Sequence, residues 1–171
     1  MKNVILGIFI LLISFNGFSQ EKTKKQLKEE QKIEKQKQIE ALVYSKQFVF
    51  TARNASPQGY KIIDLTTNPN YVEFQPDFIK SEMPFFGRAF SGVGYGNDAG
   101  LNFEGKPEAF SIEKDKKSYQ IKVILKGNRD TYRLSLSVYF NGSATLYINS
   151  NNRNPISYSG VISAMKKAIK K

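Results

Sequence analysis

The sequence contains neither cysteine nor histidine. Without thiols, disulfides, thiolate nucleophiles and cysteine-based metal sites are excluded, and so is a lipid-modified cysteine at a mature N-terminus. Without imidazole, the usual general base near neutral pH is missing, and so is the commonest transition-metal ligand. No cofactor or metal is therefore expected. Long apolar runs are scarce as well: the longest is VILGIFILLI, ten residues from Val4 to Ile13, against the roughly 20 needed to cross a bilayer. Lys2 precedes that run, and Gly17-Phe18-Ser19 closes it just before the polar QEKTKK. Charge, apolar core, then small residues at minus three and minus one is the order of a secretory signal peptide. Cleavage is expected after Ser19, which leaves about 150 residues, one domain's worth. The expected location is periplasmic or extracellular, and not as a lipoprotein.

The net charge of +11 is unevenly placed. Residues 20–47 carry 8 Lys against 5 acids, residues 48–160 carry 13 basic against 10 acidic groups, and residues 161–171 carry 4 Lys and no acid. A nucleic-acid binder gathers its cations on the folded face among aromatic rings. Here much of the excess lies at the ends, so nucleic acid is not an expected partner. The basic tail supports at most a weak contact with an anionic membrane surface.

Three segments follow the leader. Residues 20–46 are Lys, Glu and Gln for the most part, good helix formers, with apolar residues only at Leu27, Ile33 and Ile39 before Leu42 and Val43. No continuous stripe forms, so a solvated helix is predicted that docks only its last turns, from about Ile39. Across residues 47–160 the period changes to two. In TYRLSLSVYF, Tyr132, Leu134, Leu136, Val138 and Phe140 share one face. Tyr119, Ile121, Val123 and Leu125 do so in SYQIKVIL, as do Ala144, Leu146 and Ile148 in SATLYINS. Such alternation marks half-buried antiparallel strands. KQFVFTAR, GYKIIDL, NYVEFQ, GLNFEG and AFSIEK read as shorter strands, and Asn141-Gly142 as a tight hairpin turn. The predicted fold is mostly β: one antiparallel sandwich or flattened barrel of about eight to ten short strands behind an N-terminal helix. Residues 161–171 form a basic tail, with Val161, Met165 and Ala168 on one side of a short helix.

The densest local signal is SEMPFFGRAFSGVGYGNDAG, residues 81–100. Gly92, Gly94 and Gly96 resemble a nucleotide loop only superficially, because turn and strand follow where a phosphate loop needs a helix N-terminus. Glycines also serve where a sheet bends or bulges, and the rings then close its end. The functional alternative is a ligand mouth, with aromatic walls for an apolar or amphipathic small molecule and one cation to orient it. Its residues would be Phe85, Phe86, Arg88 and Tyr95, joined by Arg153 and Tyr158 from INSNNRNPISYSG. Asp64, Glu73, Asp77, Glu82, Asp98 and Glu104 could in principle hydrolyse as carboxylate pairs, but sit in no recognisable spacing. No catalytic residue is assigned and no enzyme is expected.

MPFFGRAF, YGNDAGLNFEG and NGSATLYINSNNRNPISYSG, in that order after KQFVFTAR, resemble the bacterial envelope family known as domain of unknown function 4251, over residues 40–162. Met83 and Phe85 depart mildly from the Leu-Pro-Tyr-Phe-Gly form of its first motif. The resemblance implies an exported, β-rich domain and supplies no activity or cofactor. Two roles stay open: a noncatalytic module for a small apolar ligand, and a structural or interaction module whose partner is another envelope protein.

Overall fold

The computed structural model describes residues 23–67, 69–90, 100–127 and 130–165, and there the alternating segments become ten strands of one antiparallel sheet. Two units divide the chain, Met1–Ile33 and Glu34–Lys171. In the first, Thr23 and Gln26 form a reciprocal cap: Thr23 N donates to Gln26 Oε1 at 2.9 Å and Gln26 N to Thr23 Oγ1 at 3.4 Å. That cap opens helix α1, Lys24–Ser45.

The second unit holds the sheet. Its strands are β1 Phe48–Pro57, β2 Ile63–Asp64, β3 Tyr71–Gln75, β4 Phe78–Met83 and β5 Leu101–Gly105. They continue with β6 Pro107–Lys114, β7 Ser118–Lys126, β8 Thr131–Tyr139, β9 Ser143–Ser150 and β10 Ile156–Ala164. The spatial order is β5-β4-β3-β1-β10-β9-β8-β7-β6, with β2 added beside β1. From β1 the chain meanders out to one edge, crosses to the other, and meanders back until β10 lies against β1.

That crossing decides the shape. Strands β5 and β6 end the path on opposite sides, eight steps or about 38 Å apart in a flat sheet. Yet only Lys106 separates them in sequence, which limits the gap to about 7.6 Å. The sheet must therefore curl until its edges meet, a nearly closed barrel in which β5 and β6 act as one bent strand. Gly105, at a φ of 153°, supplies a backbone state at the bend that side chains disfavour. Across the interior, the Phe103 ring of β5 stacks on Tyr132 of β8, centroids 4.1 Å apart.

The inward residues are those the alternation selects. Tyr119, Ile121, Val123 and Leu125 are buried, as are Tyr132, Leu134, Leu136 and Val138, and Ala144, Leu146 and Ile148. Each such burial stabilises by about 1.5–3 kcal/mol for a large side chain. In β1 the inward set changes parity, from Phe48, Phe50 and Ala52 to Ala55 and Pro57. A bulge between Ala52 and Asn54 makes the change, because one extra residue flips the pleat. Gly160 lies opposite, and a Cβ there would be 2.1 Å from the Thr51 carbonyl oxygen. Only glycine fits.

As expected, α1 docks through its last turns, burying Ile39 and Val43. Tyr44 meets Tyr119 edge-on at 6.0 Å, and Glu40 pairs with Lys114 at 2.8 Å. The β8–β9 hairpin turns at Asn141-Gly142 as expected, with Gly142 N donating to Tyr139 O at 2.8 Å and Gly142 at a φ of 85°. Two local readings differ from the structure. GYKIIDL yields only the two-residue β2, since Asn70 fills the ladder beside the bulge: its Nδ2 donates to the carbonyls of Ala52 and Leu65 at 2.8 and 2.9 Å. Val161–Ala164 extend β10 instead of opening a helix, because Phe48–Thr51 offer them a paired edge, and Val161 and Ile162 are β-branched. Ala168 and the tail lysines lie outside the described residues, as does the glycine run from 91 to 99.

Candidate functional site

The end of the barrel away from α1 collects most of the residues singled out above. There the segment after β4 runs beside the β9–β10 loop, and Ala89 and Arg153 form an isolated antiparallel bridge. Phe90 N donates to Asn152 O at 2.7 Å, and Asn154 N donates to Arg88 O at 2.9 Å. Two stretches more than 60 residues apart are thus tied by their backbones.

Side chains fasten the same corner. Tyr158 is fully buried, and its hydroxyl donates to the Pro84 carbonyl at 2.7 Å. Burial pushes the phenol well above its ordinary range, and the nearby Arg153 charge offsets this only in part. Arg153 is itself nine-tenths buried; Nη1 donates to the Gly100 carbonyl, and the guanidinium lies 5.3 Å from the centre of the Phe85 ring. A buried guanidinium over an aromatic face gains from the ring quadrupole. Phe85 and Phe86 are half-buried against the core. Arg88 has its side chain exposed and contributes its carbonyl to the corner. Tyr95 lies outside the described residues.

The structure therefore brings Phe85, Arg153 and Tyr158 together as a pinned corner, with Phe86 half-buried against the core and Arg88 at the surface. Sequence reasoning missed the acceptors, because backbone carbonyls leave no trace in composition. It also missed Asp130, which accepts from Ser150 Oγ, from Asn151 N at 2.9 Å and from its neighbour Thr131 N at 2.8 Å. An aspartate closing the turn GNRD was the available signal, since short acids there bond local amides.

The carboxylates take other places. Asp64 accepts from Thr66, which holds it below the usual carboxylate range. Glu82 is lowered chiefly by Lys80, 2.7 Å away, and by Tyr71. Across the ladder Lys80 also faces Glu73 and Glu104, and Asp77 lies 3.7 Å from Lys106. Asp98 is outside the described residues. Among the described residues, no three His, Cys, Asp or Glu side chains are grouped to hold a metal, and no helix is long and apolar enough to cross a membrane. A cleft of about 390 Å³ includes Lys80, Glu82, Asn102 and Glu104, and another of about 300 Å³ includes Val49, Tyr71, Glu73 and Ser163. Neither includes the corner residues.

These features define a class: a curled antiparallel sheet with a helix docked at one end and a tyrosine- and arginine-pinned corner at the other. Within that class the chain belongs to the DUF4251 family, described as a domain of unknown function, whose match spans residues 30–162. It is similar to the crystal structure of a DUF4251 family protein from Bacteroides eggerthii DSM 20697, with a TM-score of 0.59 and 21% identity. That likeness covers 76% of this chain and 87% of that one, and at such identity it speaks for the fold alone. Comparison with curated proteins finds no match.

Proposed function

We propose that this protein is an exported, noncatalytic β domain of the cell envelope that acts through its outer surface, as a structural or protein-interaction module. The observation supporting this is the fate of the groups best suited to grip an internal ligand. The Tyr158 hydroxyl and the Arg153 guanidinium are engaged by carbonyls of their own corner, while Phe48, Phe50 and Phe74 are fully buried in the interior. Export rests on the order of Lys2, the apolar run and Gly17-Phe18-Ser19. Intact mass of the protein from its native host tests that part: a chain starting at Gln20 is expected, and a retained Met1 would refute it. Gentle purification followed by native mass spectrometry tests the mode of action. A reproducible second polypeptide is the expected result.

A second reading, an apolar or amphipathic ligand at the aromatic end, is favoured by the exposure of Phe90 and Arg88 there. A copurifying small molecule that is lost in Arg88→Ala, with the melting temperature unchanged, would establish it over the first.

A further inference from the structure

The outer face of β10, β9 and β8 is built unlike the rest of the sheet. One row, from β1 across β10, β9 and β8 to β7, reads Asn54, Ser159, Thr145, Ser137 and Gln120, with Asp64 of β2 and Glu113 of β6 beyond its ends. The next reads Ser56, Ser157, Tyr147, Ser135 and Lys122. Lys122 is the one charge among these ten outward positions, and Arg133 stands in the row beyond, in a chain where 24% of residues are charged. Outward positions elsewhere on the sheet include Glu73, Lys80, Glu82 and Glu104. Two rings stand out of this field, Tyr147 and Tyr139, 43% and 44% exposed. Four residues of strand and one strand step separate them, about 14 Å.

The chemistry of the face selects its occupant. Nucleic acid or an anionic membrane needs clustered lysine and arginine, and the cations here are single and at the margin, Lys122 at the β7 end of one row and Arg133 in the row beyond. An apolar partner would strip water from hydroxyls and leave them unpaired, at about 1–3 kcal/mol each. The side chains of Ser135, Thr145 and Ser159 bond no other side chain among the described residues. Short serines and threonines are placed by the backbone itself, so little rotamer entropy is lost when a partner bonds them. Tyrosine adds a flat amphipathic ring at similarly low entropic cost. A matching partner is uncharged, dense in hydrogen-bonding groups, and has apolar faces that stack on rings.

We infer that this sheet face is a binding surface for a neutral glycan, with Tyr147 and Tyr139 as stacking platforms and the serine and threonine rows as its hydrogen-bonding bed. The inference goes beyond the protein-interaction reading above by adding a glycan-binding face, and rests only on the part of that reading in which the module acts through its outer surface. The spacing of the rings suits an oligosaccharide and not a single sugar.

The test is an array of neutral glucans, mannans, xylans and chitin oligomers, printed beside sulfated and uronic-acid glycans, followed by calorimetry on the best neutral oligomer. Binding that changes little between low and high salt is expected, weakened about tenfold by Tyr147→Ala or Tyr139→Ala, the size of one lost ring contact. Thr145→Lys, which sets a charge in the middle of the bed, should remove it. Thermal unfolding of each variant, with the wild-type melting temperature retained, shows that the fold is intact. No neutral binding at millimolar ligand, binding of acidic glycans only, or affinity indifferent to Tyr147→Ala each overturns the inference. So does a dimer in solution that Thr145→Lys splits, since a second copy would then be the occupant. A polypeptide captured on another face, with no glycan bound, would overturn this inference alone and leave the surface-module reading standing.

Discussion

Replacing Tyr158 with phenylalanine removes one oxygen and leaves the Pro84 carbonyl without its donor. A lost buried hydrogen bond of this kind costs about 1–2 kcal/mol, read as a lower urea midpoint at unchanged slope. The phenol also carries a pH signature. Its folded pKa is raised, mainly by burial, so its contribution is complete below the ordinary tyrosine range and fades as pH climbs above about 10. Melting temperatures between pH 9 and 11.5 should therefore fall more steeply for the wild type than for Tyr158→Phe. Gly160 is a different case, governed by space alone. Gly160→Ala sets a methyl 2.1 Å from a backbone oxygen that no rotamer change can move. About 3 kcal/mol of destabilisation is expected from such overpacking, measurable by chemical denaturation or as a loss of soluble yield.

Among elements, α1 shows how a weak sequence signal can still produce a docked helix. Its apolar residues are too sparse for a stripe, yet Val43 is fully buried and Ile39 nearly so. Val43→Ala should cost about 2 kcal/mol, seen in global unfolding because the same turns cover Tyr119. The Glu40–Lys114 pair makes stability depend on pH. Its hydrogen bond to Lys114 holds Glu40 below its ordinary value, so that contribution is present above the usual glutamate range and lost as pH falls through the lowered one. Lys114 is raised by the same bond, and its share is lost only as pH rises past the lysine range. Both groups are solvent-exposed, so salt should screen the pair. Between pH 5 and 2.5, Glu40→Gln should flatten the decline of melting temperature at low salt and make little difference in 1 M salt.

At the scale of the whole molecule, closure rests on the bent strand and on the rings that meet across the interior. Phe103 is almost fully buried and stacks on Tyr132 from the opposite half of the sheet. Phe103→Ala should cost about 3–5 kcal/mol, more than an equal truncation at a half-buried ring such as Phe110. A comparison of the two variants by denaturant midpoint checks this. Were the two costs equal, the edges would not depend on that contact.

Period-two alternation fixed which side chains face inward, from Phe48 and Tyr119 to Ile148, because the pleat leaves no choice once one face is apolar. Composition likewise excluded thiol and imidazole chemistry, and the motifs from Met83 to Gly160 carried the family. Local pattern could not decide the length of β2 or the end of β10, since both depend on which neighbour offers a free ladder edge. Nor could it turn Arg153 and Tyr158 into corner pins, for their acceptors are carbonyls of Gly100 and Pro84, more than 50 residues away. Those partners exist only after the sheet curls, and the curl follows from a topology that places two sequence neighbours, β5 and β6, at opposite edges.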